Sequence, residues 1–142
     1  MNSRHIDWSP NYELGIEDID FQHHLFLNLI NRLSGELEDA ELPEYKVSIV
    51  AELNAYARFH FISEENMMVK ADYPQLAEHK EHHRKLIDQL SAKGNMLLKK
   101  GSEKEGQRII DFLVDWFVNH TRVEDRLFAD YMRTRAAENL QS

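Results

Sequence analysis

The sequence contains no cysteine. That excludes disulfides, thiolate metal sites and thiol nucleophiles, and it fits a reducing compartment. Glycine and proline are scarce, five and three in 142 residues, so few points force a helix to break. No apolar run approaches the ~20 residues that span a bilayer. The opening MNSRHIDWSP also lacks the apolar stretch of a signal peptide. Basic residues are outnumbered, 17 against 25 acidic ones, for a formal charge of −8. Such a surface disfavours nucleic acid and anionic membrane as partners. The expectation is a soluble, cytoplasmic protein of one domain, since this length suits one core and is too short for two comfortable ones.

What breaks there are divide the chain into an arm and four periodic segments. Pro10 and Gly15 punctuate an arm over residues 1–15 with no helical period. SGELEDAELPEYK, ADYPQ and KKGSEKEG separate the segments, with Pro43 and Pro74 placed near helix starts. Apolar residues within each segment recur at alternating spacings of three and four. The four seams are Ile16, Ile19, His23, Phe26, Ile30, Leu33 and Leu37; Leu53, Ala57, His60, Glu64 and Met67; Leu76, His79, His83, Leu86 and Leu90; and Ile109, Leu113, Trp116, His120, Val123 and Leu127. Four long helices with short connections predict an all-α, up-down-up-down antiparallel four-helix bundle over about 16–132, followed by a short polar tail, 133–142.

Each seam is apolar for most of its length and carries imidazole or carboxylate at one level. In an antiparallel bundle those levels coincide, so His23, His60, Glu64, His79, His83 and His120 converge in one slab of the interior. A lone histidine on an apolar face is ordinarily a hydrogen-bonded core residue. Buried together, however, imidazoles and carboxylates are costly without a cation. His60/Glu64 and His79/His83 are i,i+4 pairs whose side chains reach one site. Five imidazoles, two bridging carboxylates and one bridging solvent atom fill eleven of the twelve positions of two octahedral ions and leave one open. Nitrogen and oxygen donors without sulfur suit iron, manganese, zinc or copper. For the second carboxylate, helical arithmetic prefers Glu124, four residues after His120, over Asp125, which lies ~140° around the helix.

IDFQHHLFLNLINRL, HFISEENMM, YPQLAEHKEHH and WFVNHTRVED, in this order, resemble the successive motifs of hemerythrins, particularly single-domain bacterial ones, from Trp8 to about Leu127. The resemblance implies two iron ions with an oxo or hydroxo bridge. His79, His83 and His120 would hold one, His23 and His60 the other, and Glu64 and Asp125 would bridge them. It therefore places the second bridge at Asp125, which requires the fourth helix to widen locally, a π-type bulge being one way, or the side chain to reach sideways. It further implies reversible binding of dioxygen, or of a small anion such as azide, at the two-histidine iron. Phe26, Phe61 and Trp116 become candidates for the apolar wall of the ligand pocket, a role compatible with ordinary packing, and Thr121 becomes a residue that tunes access if it faces that pocket. The implied role is non-enzymatic oxygen storage, buffering or delivery. The alternatives are an oxygen, redox or nitric-oxide sensor acting through a separate protein partner, and a di-iron oxidase or peroxidase.

Several neighbours of these residues carry blander expectations. His24 leans toward the polar side of its helix, His5 has no evident role, and Glu65 belongs at the rim or in solvent. Met67 and Met68 read as core filler, and Trp8 and Tyr12 as anchors of the arm. His82 shares a polar stripe with Gln75, Glu78, Lys85 and Gln89 and should face water. The expected result is that His82→Ala keeps its metal, whereas His83→Ala loses iron or its normal spectrum; equal metal content in the two variants would overturn the assignment.

Overall fold

The computed structural model describes residues 6–39, 43–100 and 103–141. Helices α1 (Glu17–Asp39), α2 (Pro43–Lys70) and α3 (Leu76–Lys100) are followed by a fourth rod. That rod consists of α4 (Glu103–Asn119), a π-helical turn (His120–Asp125) and α5 (Arg126–Gln141) in unbroken succession. α1 packs on α2 and α4, α2 on α3, and α3 on α4, so the helices close into a four-helix bundle. There is no strand among the described residues, and none of their helices is long and apolar enough to cross a membrane.

Local chemistry sets the helix ends. Glu17, Asp18 and Asp20 occupy the first turn of α1, where carboxylates complement the positive end of the helix dipole. Pro43 begins α2, where a missing N–H costs nothing. α2 stops with Asp72 at φ +57°, while the Tyr73 N–H bonds to the Met68 carbonyl at 3.0 Å and the Asp72 N–H to that of Val69 at 3.1 Å. These two bonds satisfy the last carbonyls in a Schellman termination, with aspartate in the left-handed position more often held by glycine.

The arm is tied down by polar contacts. Asn31 on α1 both accepts from the Ile6 N–H and donates to the Ile6 carbonyl, each at 2.8 Å. Trp8 stacks on His24 with centroids 3.5 Å apart, and buried Tyr12 meets Phe117 edge-on at 5.6 Å. Gly15, at φ +84°, turns the chain into α1, and the buried Asp20 carboxylate accepts from the N–H groups of Leu14 and Gly15 at 2.8 and 3.0 Å. Arg126 donates to the carbonyls of Asn11 and Glu13, and so clamps the arm against the start of α5. Trp8 and Tyr12 thus pack on the bundle as expected, while His5 lies outside the described residues.

The core forms two apolar clusters. The larger runs from Phe26 to Leu37, Ile49 to Phe61, Leu86 to Leu97 and Ile109 to Phe117. The smaller gathers Leu14, Ile19, Met68, Ala71, Tyr73, Phe128 and Ala129 at the other end. Most of the polar seam residues lie between them, while His60 sits at the edge of the larger cluster, between Ala57 and Phe61.

Four details differ from the sequence reading. α1 continues through Ser34 and Gly35 to Asp39, because Leu33 and Leu37 keep the same inner face buried. Met68 rather than Met67 is fully buried at the end of α2. The polar segment 133–142 extends α5 as helix through Gln141. In the fourth rod, Val123 and Leu127 are 55% and 53% exposed, whereas Asp125, Phe128 and Ala129 are buried. The π turn explains this shift: its extra residue displaces everything after His120 by one position around the rod.

The shift predicts an inverted pair of stability effects. Phe128→Ala should cost about 3–5 kcal/mol through lost burial and the cavity left behind, and Leu127→Ala no more than about 0.5 kcal/mol. Denaturant midpoints of the two variants in the same metal state check this, and a larger loss at Leu127 would contradict the observed phase.

Candidate metal centre

Each of the four rods contributes to one buried cluster. α1 supplies His23, α2 His60 and Glu64, α3 His79 and His83, and the π turn His120 and Asp125. None of the seven is more than 6% exposed. The i,i+4 pairs of α2 and α3 place two side chains on one helical face each. The π turn performs the same task for His120 and Asp125 at a separation of five. Its widened ring lets both residues face inward, leaving Glu124 about one-third exposed, 3.7 Å from the His82 ring.

The donor atoms divide into two groups around the carboxylates. Glu64 Oε1 lies 2.7 Å from His79 Nε2 and 3.3 Å from His83 Nε2, while Oε2 lies 3.5 Å from His60 Nε2 and 3.8 Å from His23 Nε2. Asp125 Oδ1 lies 3.0 Å from His79 Nε2 and 3.1 Å from His120 Nε2, with Oδ2 3.1 Å from His23 Nε2. Each carboxylate therefore presents one oxygen to a three-histidine group and the other to a two-histidine group.

Five of these atoms, Nε2 of His23, His83 and His120, Glu64 Oε2 and Asp125 Oδ2, are buried without a hydrogen-bond partner among the described residues. Buried polar atoms are rarely left so, and here they belong to two adjoining donor groups that share Glu64, each able to hold an ion. The electrostatics point the same way. Burial opposes a charge on His79, but its contacts with Asp125 and Glu64 raise its pKa to about 10. Burial and Asp125 push the Glu64 carboxyl up, yet His79, His83 and His60 hold it down at about 2. Asp125 is likewise held well below the usual carboxylate range, against burial, by His120, His23 and His79. Burial lowers His60 to about 4, which favours the neutral imidazole that a metal requires. Two anionic carboxylates thus draw positive charge into the middle of the cluster, and the donor set fits a pair of metal ions.

Side chains outside the cluster orient two of the imidazoles. His83 Nδ1 lies 2.8 Å from Glu65 Oε2. A carboxylate only accepts, so the His83 Nδ1–H donates and Nε2 keeps its lone pair. His60 Nδ1 lies 2.7 Å from Gln22 Oε1, and the Gln22 amide donates to Ser63 Oγ at 3.0 Å, which fixes its oxygen toward the ring. Aromatic rings pack on the other side. Phe61 stacks on His83 at 3.9 Å and Trp116 on His120 at 4.3 Å. Phe26 and Phe117 meet His60 and His23 edge-on at 6.0 and 5.7 Å.

All seven sequence-derived donors therefore share one site, and Phe26, Phe61 and Trp116 border it. Thr121 is buried within the π turn. His82 and exposed His24 stay outside the cluster. Glu65, expected at the rim or in solvent, is partly exposed and also bonded to a cluster imidazole, a contact the sequence reading did not include. Gln22, Phe117 and Tyr73, whose ring lies 6.5 Å from His79, carried no signal in the sequence. Their contacts are made across helices, where spacing along one helix is silent.

Comparison with known proteins gives a consistent picture. The hemerythrin HHE cation-binding domain family matches residues 14–132. A bacteriohemerythrin of Clostridium acetobutylicum is 31% identical over 127 residues, covering 87% of this chain and 98% of that protein. A bacteriohemerythrin of Stenotrophomonas maltophilia is 29% identical over 129 residues, covering 89% and 80%. A hemerythrin-like protein of Naegleria gruberi is 26% identical over 120 residues, covering 84% and 87%.

Removing the acceptor behind His60 tests the orienting network. Gln22→Leu should weaken metal binding on the two-histidine side by about 10–100-fold while the helical circular dichroism stays unchanged. A zinc titration of the stripped protein reads both dissociation constants. Two unaltered constants would mean that the His60 ring is held by packing alone.

Proposed function

The chain belongs to the hemerythrin family, and from that premise we propose that it binds dioxygen reversibly at a non-haem pair of iron ions, storing, buffering or delivering oxygen. The observation that carries the reading is the unequal division of donors around two shared carboxylates. His79, His83 and His120 with one oxygen each from Glu64 and Asp125 would offer five donors to one ion. His23 and His60 with the two remaining oxygens would offer four to the other. An ion on the two-histidine side would therefore keep the open position for a small ligand. What paired iron supplies when bound is reversible electron donation to dioxygen.

The chain's own residues supply the rest. Gln22 and Glu65 hold His60 and His83 with Nε2 turned inward. Phe26 and Phe117 place apolar ring edges against the two-histidine side, where they exclude water and bulk reductant and favour a small ligand such as dioxygen or azide. Phe61 and Trp116 cover the three-histidine side. A site so enclosed by its own ligands leaves little room for an organic substrate and suits a carrier better than an enzyme that acts on one. Thr121 is buried one residue beyond His120.

Metal analysis with anaerobic optical spectra tests the reading. About two irons per chain are expected, with a charge-transfer band that appears on exposure to dioxygen and disappears under vacuum. Irreversible oxidation without an oxygenated species would overturn the carrier function.

A further inference from the structure

The partners behind the two oriented imidazoles differ in charge. The His83 Nδ1–H donates to a carboxylate, Glu65 Oε2, at 2.8 Å. The His60 Nδ1–H donates to a neutral amide, Gln22 Oε1, at 2.7 Å. Both contacts are sheltered: the His83 side chain is 3% exposed and that of Glu65 20%, while His60 is 2% exposed. Sheltering matters because an interaction between charges weakens as water surrounds it. Phe61, parallel to His83 within 7°, keeps that ring in the plane that directs Nδ1 at Glu65.

An N–H that donates to a carboxylate leaves more electron density on its imidazole than one that donates to an amide, and its other nitrogen becomes the more basic donor. A ferric ion gains more from a basic donor than a ferrous ion does, because its charge is higher.

We propose that Glu65 is a positioning residue that tunes redox state: acting through His83, it makes the three-histidine iron the one more readily held ferric, while the neutral Gln22 leaves the two-histidine iron the more readily kept ferrous. The inference rests on the di-iron reading above and deepens it. In one-electron oxidation by a soluble acceptor such as hexacyanoferrate(III), the electron lost from the iron pair reduces the acceptor to hexacyanoferrate(II). The proton stays in the His83–Glu65 hydrogen bond. The difference gives the site a built-in polarity, with oxidising equivalents stabilised on the side away from the open position.

The test is a redox titration of the iron-loaded protein, with iron counted per chain, alongside Mössbauer spectra of the half-oxidised form. Glu65→Gln keeps an acceptor oxygen of the same reach and removes the charge. Its ferric preference should fall by roughly tenfold, an upward shift of ~59 mV for one electron, and the ferric signal should no longer favour the three-histidine site. Glu65→Asp retains a carboxylate and should return the potential toward that of the parent. Iron-loaded Glu65→Gln with the parent's potential would overturn the tuning. So would loss of its iron with the helical content intact, which would assign Glu65 to holding the ligand alone. A parent protein that does not hold two irons would overturn the di-iron reading, and this proposal with it.

Discussion

The structure turns on two carboxylates, Glu64 and Asp125, each 1% exposed and surrounded by five buried imidazoles. Removing an ionised carboxylate from water costs several kcal/mol even after relaxation, and two placed together repel. That cost governs the rest of the layout. The polar layer separates the two apolar clusters of the core, so packing above and below it must hold the layer in register. It also requires donors from all four rods, because a single helical face offers only two side chains at one level. A closed bundle is the simplest arrangement that brings four inner faces to one point. Positive charge at that point offsets the burial, and the raised His79 and depressed Glu64 and Asp125 pKa values express the same demand.

The π turn is where this demand overrides regular geometry. An α-helix carries residue i+5 well away from residue i, so a regular fourth helix would turn Asp125 out of the cluster. The six-residue turn His120–Asp125 absorbs the mismatch. Its consequence extends beyond the site, since the whole apolar seam of α5 is rotated by one residue relative to that of α4. Phe128 and Ala129 therefore enter the smaller cluster, where an uninterrupted helix would have placed Leu127. The metal-centre chemistry and the packing at that end of the bundle share one backbone irregularity.

This also marks what was legible in the sequence. The four helices and their seams follow from three-four spacing, and so do His23, His60, Glu64, His79, His83 and His120, because each is a polar interruption of an apolar stripe. Asp125 broke that rule: helical arithmetic selected Glu124, and only the family resemblance selected Asp125. Val123 and Leu127 were misplaced for the same reason. Gln22 and Glu65 were not legible at all. Gln22 reaches His60 across 38 residues of chain and Glu65 reaches His83 across 18, and polar residues at helix edges look alike whether they meet solvent or a ligand's outer nitrogen. The arm was read as an anchor from its aromatics. Its fixing by Asn31, Asp20 and Arg126 depends on backbone groups that side-chain patterns do not reveal.

The aromatic surround adds a second asymmetry aligned with the first. On the three-histidine side, Phe61 and Trp116 lie nearly parallel to His83 and His120, at 7° and 13°. On the two-histidine side, Phe26 and Phe117 stand at 79° and 82° to His60 and His23. A face-on ring covers an imidazole and opposes its tilting, whereas an edge-on ring touches it along a line and leaves the flank of the imidazole to whatever lies beside it. One half of the centre is thus braced by stacked rings and backed by a carboxylate. The other is met by the edges of Phe26 and Phe117 and by the tilted ring of Phe61, and is backed by an amide. If the centre exchanges a small ligand, as proposed above, the second half is the one that accommodates it with less disturbance of the site.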